Sequence, residues 1–356
     1  MGLDIPGCYV LPVDSRPLKN GLVSISGGKI IHIGEGRTPP FPADQKKKRV
    51  ILIPGLVNAH THLDLTGMGG EVGKGKPFTD WILEVIAWRA KQDEGSILSS
   101  IKKGIAHSLR NGTTCLGDFS ATGDSFLPIN ETRMKGRVFF EVTGFQKDVA
   151  PARTKKLKKK LANFDKRPNP RGGIAPHSPY SVSPGLIRAC VSHSRKIRVP
   201  VSMHVAEVQE EIDFLAGLGG KIAELQKRLS VWESEFVFPG TGAVEYLRSL
   251  GVLEGMSLVH LNHISAGEVV LMRTHGCTGI FCPGSHLWFQ RKKNKAVNWL
   301  FDEGVNLALG TDGLSSNESL DMFREMRLFS KMFPEIPRGE ILKMATINGA
   351  KALSLD

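Results

Sequence analysis

Across the first fifty residues apolar and polar positions alternate with the period of a strand. Gly21-Leu-Val-Ser-Ile-Ser26 and Lys29-Ile-Ile-His-Ile33 each put every second side chain on one face, and Gly27-Gly28 between them supplies a turn. The pattern predicts a β-hairpin. From Val50 onward the rhythm changes to short apolar runs separated by stretches of helical length, as parallel strands and their crossover helices read in sequence. Eight runs are present: Ile51–Val57, Thr113–Asp118, Arg137–Thr143, Gly173–Ala175, Val199–Met203, Ser257–Leu261, Thr278–Phe281 and Val305–Leu309. Between them, Ser99–Arg110, Pro184–Ser194, Ala266–Thr274 and Ser319–Ser330 have helical character. The expected architecture is α/β: a (β/α)8 TIM barrel over residues 50–356, preceded by a small, incomplete N-terminal β-sandwich piece over residues 1–49. A doubly wound open sheet is the alternative, but no Gly-x-Gly-x-x-Gly follows a strand to support it.

Composition narrows the class. The chain has 356 residues and is 41% hydrophobic, enough for a large core. No apolar run approaches the ~18 residues of a membrane span, and Met1–Leu11 lacks the basic-then-apolar order of a secretory leader, so a cytoplasmic protein away from membranes is expected. The five cysteines, Cys8, Cys115, Cys190, Cys277 and Cys282, are scattered without a Cys-x-x-Cys pair, which predicts free core thiols in a reducing compartment. A formal charge of +12 raises the question of a polyanionic partner. It is concentrated at Arg153–Arg167 and Arg291–Lys295, where no aromatics interleave as stacking platforms, so a solvated helix face and a basic loop are expected, with no nucleic acid.

In a barrel the chemistry sits where strands end. The first run leads into His60-Thr-His62, whose alternation sends both imidazoles to one side; the fourth ends at His177, the fifth at His204-Val-Ala-Glu207, the sixth at His260 and the eighth at Thr311-Asp312. Imidazoles with a carboxylate suit Zn(II), and also Fe(II) or Mn(II). Three histidines and one aspartate leave a coordination position for water, and Glu207, three residues beyond His204, is placed to take that water's proton.

The blocks Gly55-Leu-Val-Asn-Ala-His-Thr-His62, Ala175-Pro-His-Ser-Pro-Tyr-Ser-Val-Ser183, Met203-His-Val-Ala-Glu207, Val259-His260 and Leu309-Gly-Thr-Asp-Gly313, taken in this order, resemble the chlorohydrolase/deaminase branch of the amidohydrolase superfamily. That branch includes methylthioadenosine/S-adenosylhomocysteine, aminofutalosine and guanine deaminases and triazine hydrolases. The resemblance implies one divalent ion on His60, His62, His204 and Asp312, with Glu207, His260 and Asp312 catalytic. It also implies that His177 and Trp81, the latter matched within Phe78-Thr-Asp-Trp81, face the substrate. Two departures stand out. The ribose-reading glutamate that usually lies about nine residues after this tryptophan is replaced by Ala90 beside Arg89, and the Cys-Pro-x-Ser-Asn block reads Cys282-Pro-Gly-Ser-His286, followed by Arg291-Lys-Lys293.

The expected activity is replacement of an exocyclic amino group of a purine-like heterocycle or nucleoside by oxygen. The alternatives are a chlorohydrolase of triazine-like compounds and a catalytically silent binding protein on the same barrel. The partner is a small heterocycle, with a second copy of the chain as a candidate. Relatives return after Ala345-Thr-Ile-Asn-Gly-Ala350 to complete the sandwich, so an end at Asp356 predicts a piece of a longer product, or a hairpin that pairs with another chain.

Overall fold

The computed structural model describes residues 2–35, 50–164, 169–293 and 295–355. The chain forms two compact units, dividing after Gly55. In the first, β1 (Gly2–Val10), β2 (Leu18–Ser26), β3 (Lys29–Glu35) and β4 (Ile51–Leu52) form one sheet in the order β3-β2-β1-β4. The predicted hairpin is the antiparallel pair β2/β3. Gly27 and Gly28, at φ +57° and +75°, give the turn the positive dihedrals that a two-residue connection matching strand twist requires. Strand β1, whose alternation is interrupted by Pro6 and Gly7, pairs with β2 from Gly2↔Ser26 to Val10↔Leu18. Of the N-terminal piece read over 1–49, residues 36–49 lie outside the described residues.

Among the described residues, the second unit holds eight parallel strands: β5 (Leu56–Thr61), β6 (Thr113–Ser120), β7 (Lys135–Val142), β8 (Arg171–Pro176), β9 (Ser202–Val205), β10 (Ser257–His260), β11 (Thr278–Phe281) and β12 (Asn306–Leu309). The first expected run, Ile51–Val57, is two strands. Pro54-Gly55 interrupts it, Ile51–Leu52 pairs with β1 in the first unit, and the strand that carries the histidines begins at Leu56.

The closed ring expected from the sequence is corrected to two four-stranded parallel sheets, β5-β6-β7-β8 and β9-β10-β11-β12, that meet at two seams. At one, Pro176 and Pro200 remove amide donors, leaving a single bridge, Ile174↔Val201, with Ile174 N donating to Pro200 O at 3.1 Å. At the other, Thr311 N and Asp312 N both donate to His60 O, at 3.0 and 3.1 Å. Gly310 permits that approach, because a Cβ there would stand 2.8 Å from the His60 Cβ.

Alternation of β-type side chains fills the space between the sheets with Val57, Ala59, Phe119, Phe139, Val259, Ile280 and Ala308, and Ala352 and Leu353 pack against them. Helices cover the outer faces. Glu94–Arg110 lays Ile101 and Ile105 against Leu116 and Val138. The basic helix Ala150–Phe164 buries Leu157 and Leu161 and turns Lys155, Lys156, Lys158 and Lys159 to solvent, as the pattern predicts; residues 165–168 of that basic stretch lie outside the described residues. All five thiols are free, four of them buried. Among the described residues, no helix is long and apolar enough to cross a membrane.

Candidate active site

The second unit brings the predicted strand-end residues together. His60 lies in β5 with His62 just beyond it, His204 lies in β9, His260 ends β10, and His177 and Asp312 follow β8 and β12. His62 Nε2 stands 3.3 Å from His204 Nε2, and Asp312 Oδ1 stands 3.4 Å from His60 Nε2 and 3.6 Å from His62 Nε2. The donor atoms of His60, His62 and Asp312 all lie within 4.8 Å of one another, as do those of His60, His204 and His260. Both ring nitrogens of His60, and Nδ1 of His62, are buried without a hydrogen-bond partner among the described residues. Orphaned buried polar atoms are costly, and a cation held through His60 Nε2, the ring nitrogen that faces Asp312 Oδ1, would remove that cost at this atom.

Electrostatics point the same way. Burial drives the imidazoles toward the neutral form that can donate a lone pair: His60 is lowered, His62 falls to about 3 and His260 lies well below its ordinary value. For Asp312 burial acts to raise the pKa, but contact with His60 and the fields of His260 and His62 hold the carboxylate well below its usual range. The surroundings orient these donors. Ser285 Oγ and Ser316 Oγ donate to Asp312 Oδ2 at 2.8 and 2.7 Å, leaving Oδ1 toward the histidines. His204 Nδ1 sits 2.9 Å from His177 O, which fixes its proton there and leaves Nε2 for the centre. Ala206, His260, Leu261 and Asp312 adopt positive φ, from 53° to 75°, so the chain turns sharply where β9, β10 and β12 deliver their side chains.

Glu207 is held at both ends of its backbone: its N donates to Glu211 Oε2 at 3.0 Å and its O accepts from Asn262 Nδ2 at 3.0 Å. Its carboxylate reaches the cluster, with Oε2 3.6 Å from His260 Nε2 and Oε1 accepting from Arg291 Nη2 at 2.9 Å. Burial pushes this carboxyl up, against the pull of Arg291.

A cavity of about 370 Å³ opens over the cluster. Trp81 forms part of its wall, stacked on Phe78 with ring centroids 5.5 Å apart and donating from Nε1 to Ser315 O at 2.8 Å. His177 lines it too, its Nδ1 2.7 Å from Ser181 Oγ; burial lowers its pKa to about 4.

Three charged residues at the site were missed in the sequence. Glu141, on β7, lines the cavity with a donor atom within 4.8 Å of those of His62 and His204. Burial opposes its charge, yet His177, His62 and Arg89 pull it down to about 2. Its apolar run reads on to Thr143, so no strand end marks Glu141 in the sequence. Arg89, also in the cavity wall, donates to Asp64 Oδ2 at 2.7 Å. Arg291 was read as part of a solvated loop, and no periodicity in sequence marks it as inward.

With the geometry in place, comparison with known proteins gives consistent results. A 5-methylthioadenosine/S-adenosylhomocysteine deaminase of Teredinibacter turnerae is 29% identical over 321 residues, covering 86% of this chain and 67% of the relative. The solved structure of an adenosine deaminase from Xanthomonas campestris with bound zinc superposes with a TM-score of 0.79 at 24% identity, over 99% of this chain and 80% of that one. Helicobacter pylori aminofutalosine deaminase, solved with methylthio-coformycin, gives a TM-score of 0.82 at 23% identity over 99% and 87%. The model of the Amidohydrolase family matches residues 51–356, and the chain belongs to that family.

Proposed function

We propose that this chain is a mononuclear metal-dependent aminohydrolase that replaces an exocyclic amino group of a purine-like heterocycle, free or within a nucleoside, with oxygen. The observation that carries the reading is the convergence of His60, His62, His204 and Asp312, with orphaned nitrogens, beside the Glu207 carboxylate under an aromatic-walled cavity. The two half-sheets are read as one (β/α)8 barrel, supported by backbone hydrogen bonds across both seams and by the likeness to the solved deaminases. Its catalytic domain, expected over residues 50–356 after an N-terminal piece over residues 1–49, is taken to begin at Leu56, because Ile51–Leu52 pair with β1 in the N-terminal unit.

The imidazoles of His60, His62 and His204 and the Oδ1 of Asp312 would hold one divalent ion, with Zn(II) best suited to the donor set and Fe(II) or Mn(II) accommodated by it. When bound, such an ion acidifies a water to hydroxide at neutral pH. Glu207 accepts one proton of the attacking water and passes it to the ring nitrogen beside the carbon under attack as the oxygen bonds to that carbon; the remaining hydroxyl proton then reaches the amino group through Asp312 and Glu207, the carbon–nitrogen bond breaks, ammonia leaves and the carbon keeps the oxygen as a carbonyl. His260, kept neutral by burial, orients the attacking oxygen. His177 and Trp81 hold the heterocycle in the cavity. A two-metal hydrolase would want a bridging lysine at the end of β8, where Pro176-His177 stands.

The test is ammonia release from a panel of aminopurines, aminopyrimidines and their nucleosides, alongside metal analysis of protein purified without chelator. One ion per chain and ammonia from an aminopurine are expected. Chloride release from chlorotriazines without any ammonia, or two ions per chain, would replace this reading.

A further inference from the structure

The basic run Arg291-Lys-Lys293 divides in the fold. Lys292 and Lys293 face solvent, but Arg291 turns inward: its side chain is 10% exposed and that of its partner Glu207 is 7% exposed. Gln290, at φ +55°, and a hydrogen bond from Arg291 N to His286 O at 3.1 Å set the turn that re-aims it. The guanidinium lies over the Phe289 ring, 4.3 Å from its centroid, and Phe289 packs edge-on against Trp81 of the cavity wall. Arg291 Nη2 then donates to Glu207 Oε1.

Stability does not account for this pair. Burying two charges costs much of what their attraction returns, and apolar side chains of similar volume do as well or better. What the pair does is make the two oxygens of Glu207 unequal. Oε1 is anchored on Arg291, while Oε2 faces His260 Nε2 at 3.6 Å and the cluster beyond it. A guanidinium does not give up its proton near neutral pH, so it holds Oε1 without competing in proton transfer.

The geometry points to Arg291 as a positioning residue for Glu207: by holding Oε1 it makes Oε2 the atom that carries the proton between water and the heterocycle. The inference rests on the aminohydrolase reading for what is transferred, and on the ion pair alone for where Glu207 sits.

The experiment uses the metal-loaded full chain with Arg291→Met, and Arg291→Lys as the conservative variant that guards against misfolding. With the best substrate of the ammonia panel, R291M should lose about 10- to 100-fold in kcat, the size of effect that a misplaced reacting group produces. KM should stay within about threefold and metal content should not change, and R291K should recover part of the loss. Crystal structures of both variants supply a readout that needs no substrate: in R291M, Oε2 should move away from His260 Nε2. Unchanged kcat, parallel loss of kcat and metal, or a Glu207 that keeps its place in R291M would overturn the proposal. If the native chain releases no ammonia from any compound tested, the aminohydrolase reading falls, and the position of Glu207 in R291M still decides this one.

Discussion

Glu207 sits three residues beyond His204, buried and within reach of the cluster. If it alone moves the proton, Glu207→Gln should lower turnover by about 10²- to 10⁴-fold, the usual worth of general acid/base catalysis, while metal content is retained. Ammonia assays and metal analysis on one preparation check this; near-native turnover would place the proton carrier elsewhere, with Asp312 and Glu141 the other carboxylates in the cavity wall. The residues legible in sequence are those that directly end or follow strands, because strand order fixes their side of the sheet: His60, His62, His177, His204, His260 and Asp312. Glu141, Arg89 and Arg291 were not legible. Their roles come from partners on other elements, such as Asp64 for Arg89 and Glu207 for Arg291, and no local pattern records a partner that far away.

Among elements, the join between β5 and β12 leaves little room for change. Gly310 lies against His60, with an added Cβ falling 2.8 Å from His60 Cβ and 2.9 Å from His60 O. Gly310→Ala should therefore cost about 1–3 kcal/mol through overpacking, lowering the melting temperature, and should also weaken metal retention because His60 is the group displaced. Calorimetry with metal analysis separates the two effects; a lower melting temperature with full metal retention would show that the join yields without moving the ligand. Element type and order were readable from periodicity, since long helices and strands repeat their signal over many residues. The seams were not, because they depend on where prolines and sharp turns interrupt pairing between strands such as β8 and β9. The split of Ile51–Val57 has the same origin, Pro54-Gly55 inside a run that looks continuous.

For the whole molecule, the formal charge of +12 favours dispersal, while β3 in the first unit favours association. Ile30 and Ile31 are 60% and 66% exposed on a strand that, among the described residues, is the edge of its sheet. Edge strands with apolar side chains recruit other strands unless charge or proline blunts them. Ile31→Lys should raise the concentration at which light scattering reports association, with metal content and ammonia release unchanged, because the site residues all belong to the unit that begins at Leu56. Equal scattering of the two proteins would show that this edge is already protected.

The first and last strands of the second unit also bear on how the chain is made and how long it lasts. Thr61 Oγ1 donates to Asp312 O across 251 residues of sequence, and His60 receives the amides of Thr311 and Asp312. During synthesis the histidines of β5 emerge early and wait for the final strand, so the cluster is completed by some of the most distant pairings in the chain, which form slowly. An ion gripped there would act as a clasp fastened at the end. It would have little to hold while folding is under way and much to hold once the strands have met, so chelation should shorten the life of the native state, read as a faster unfolding rate, and leave the speed of folding nearly untouched.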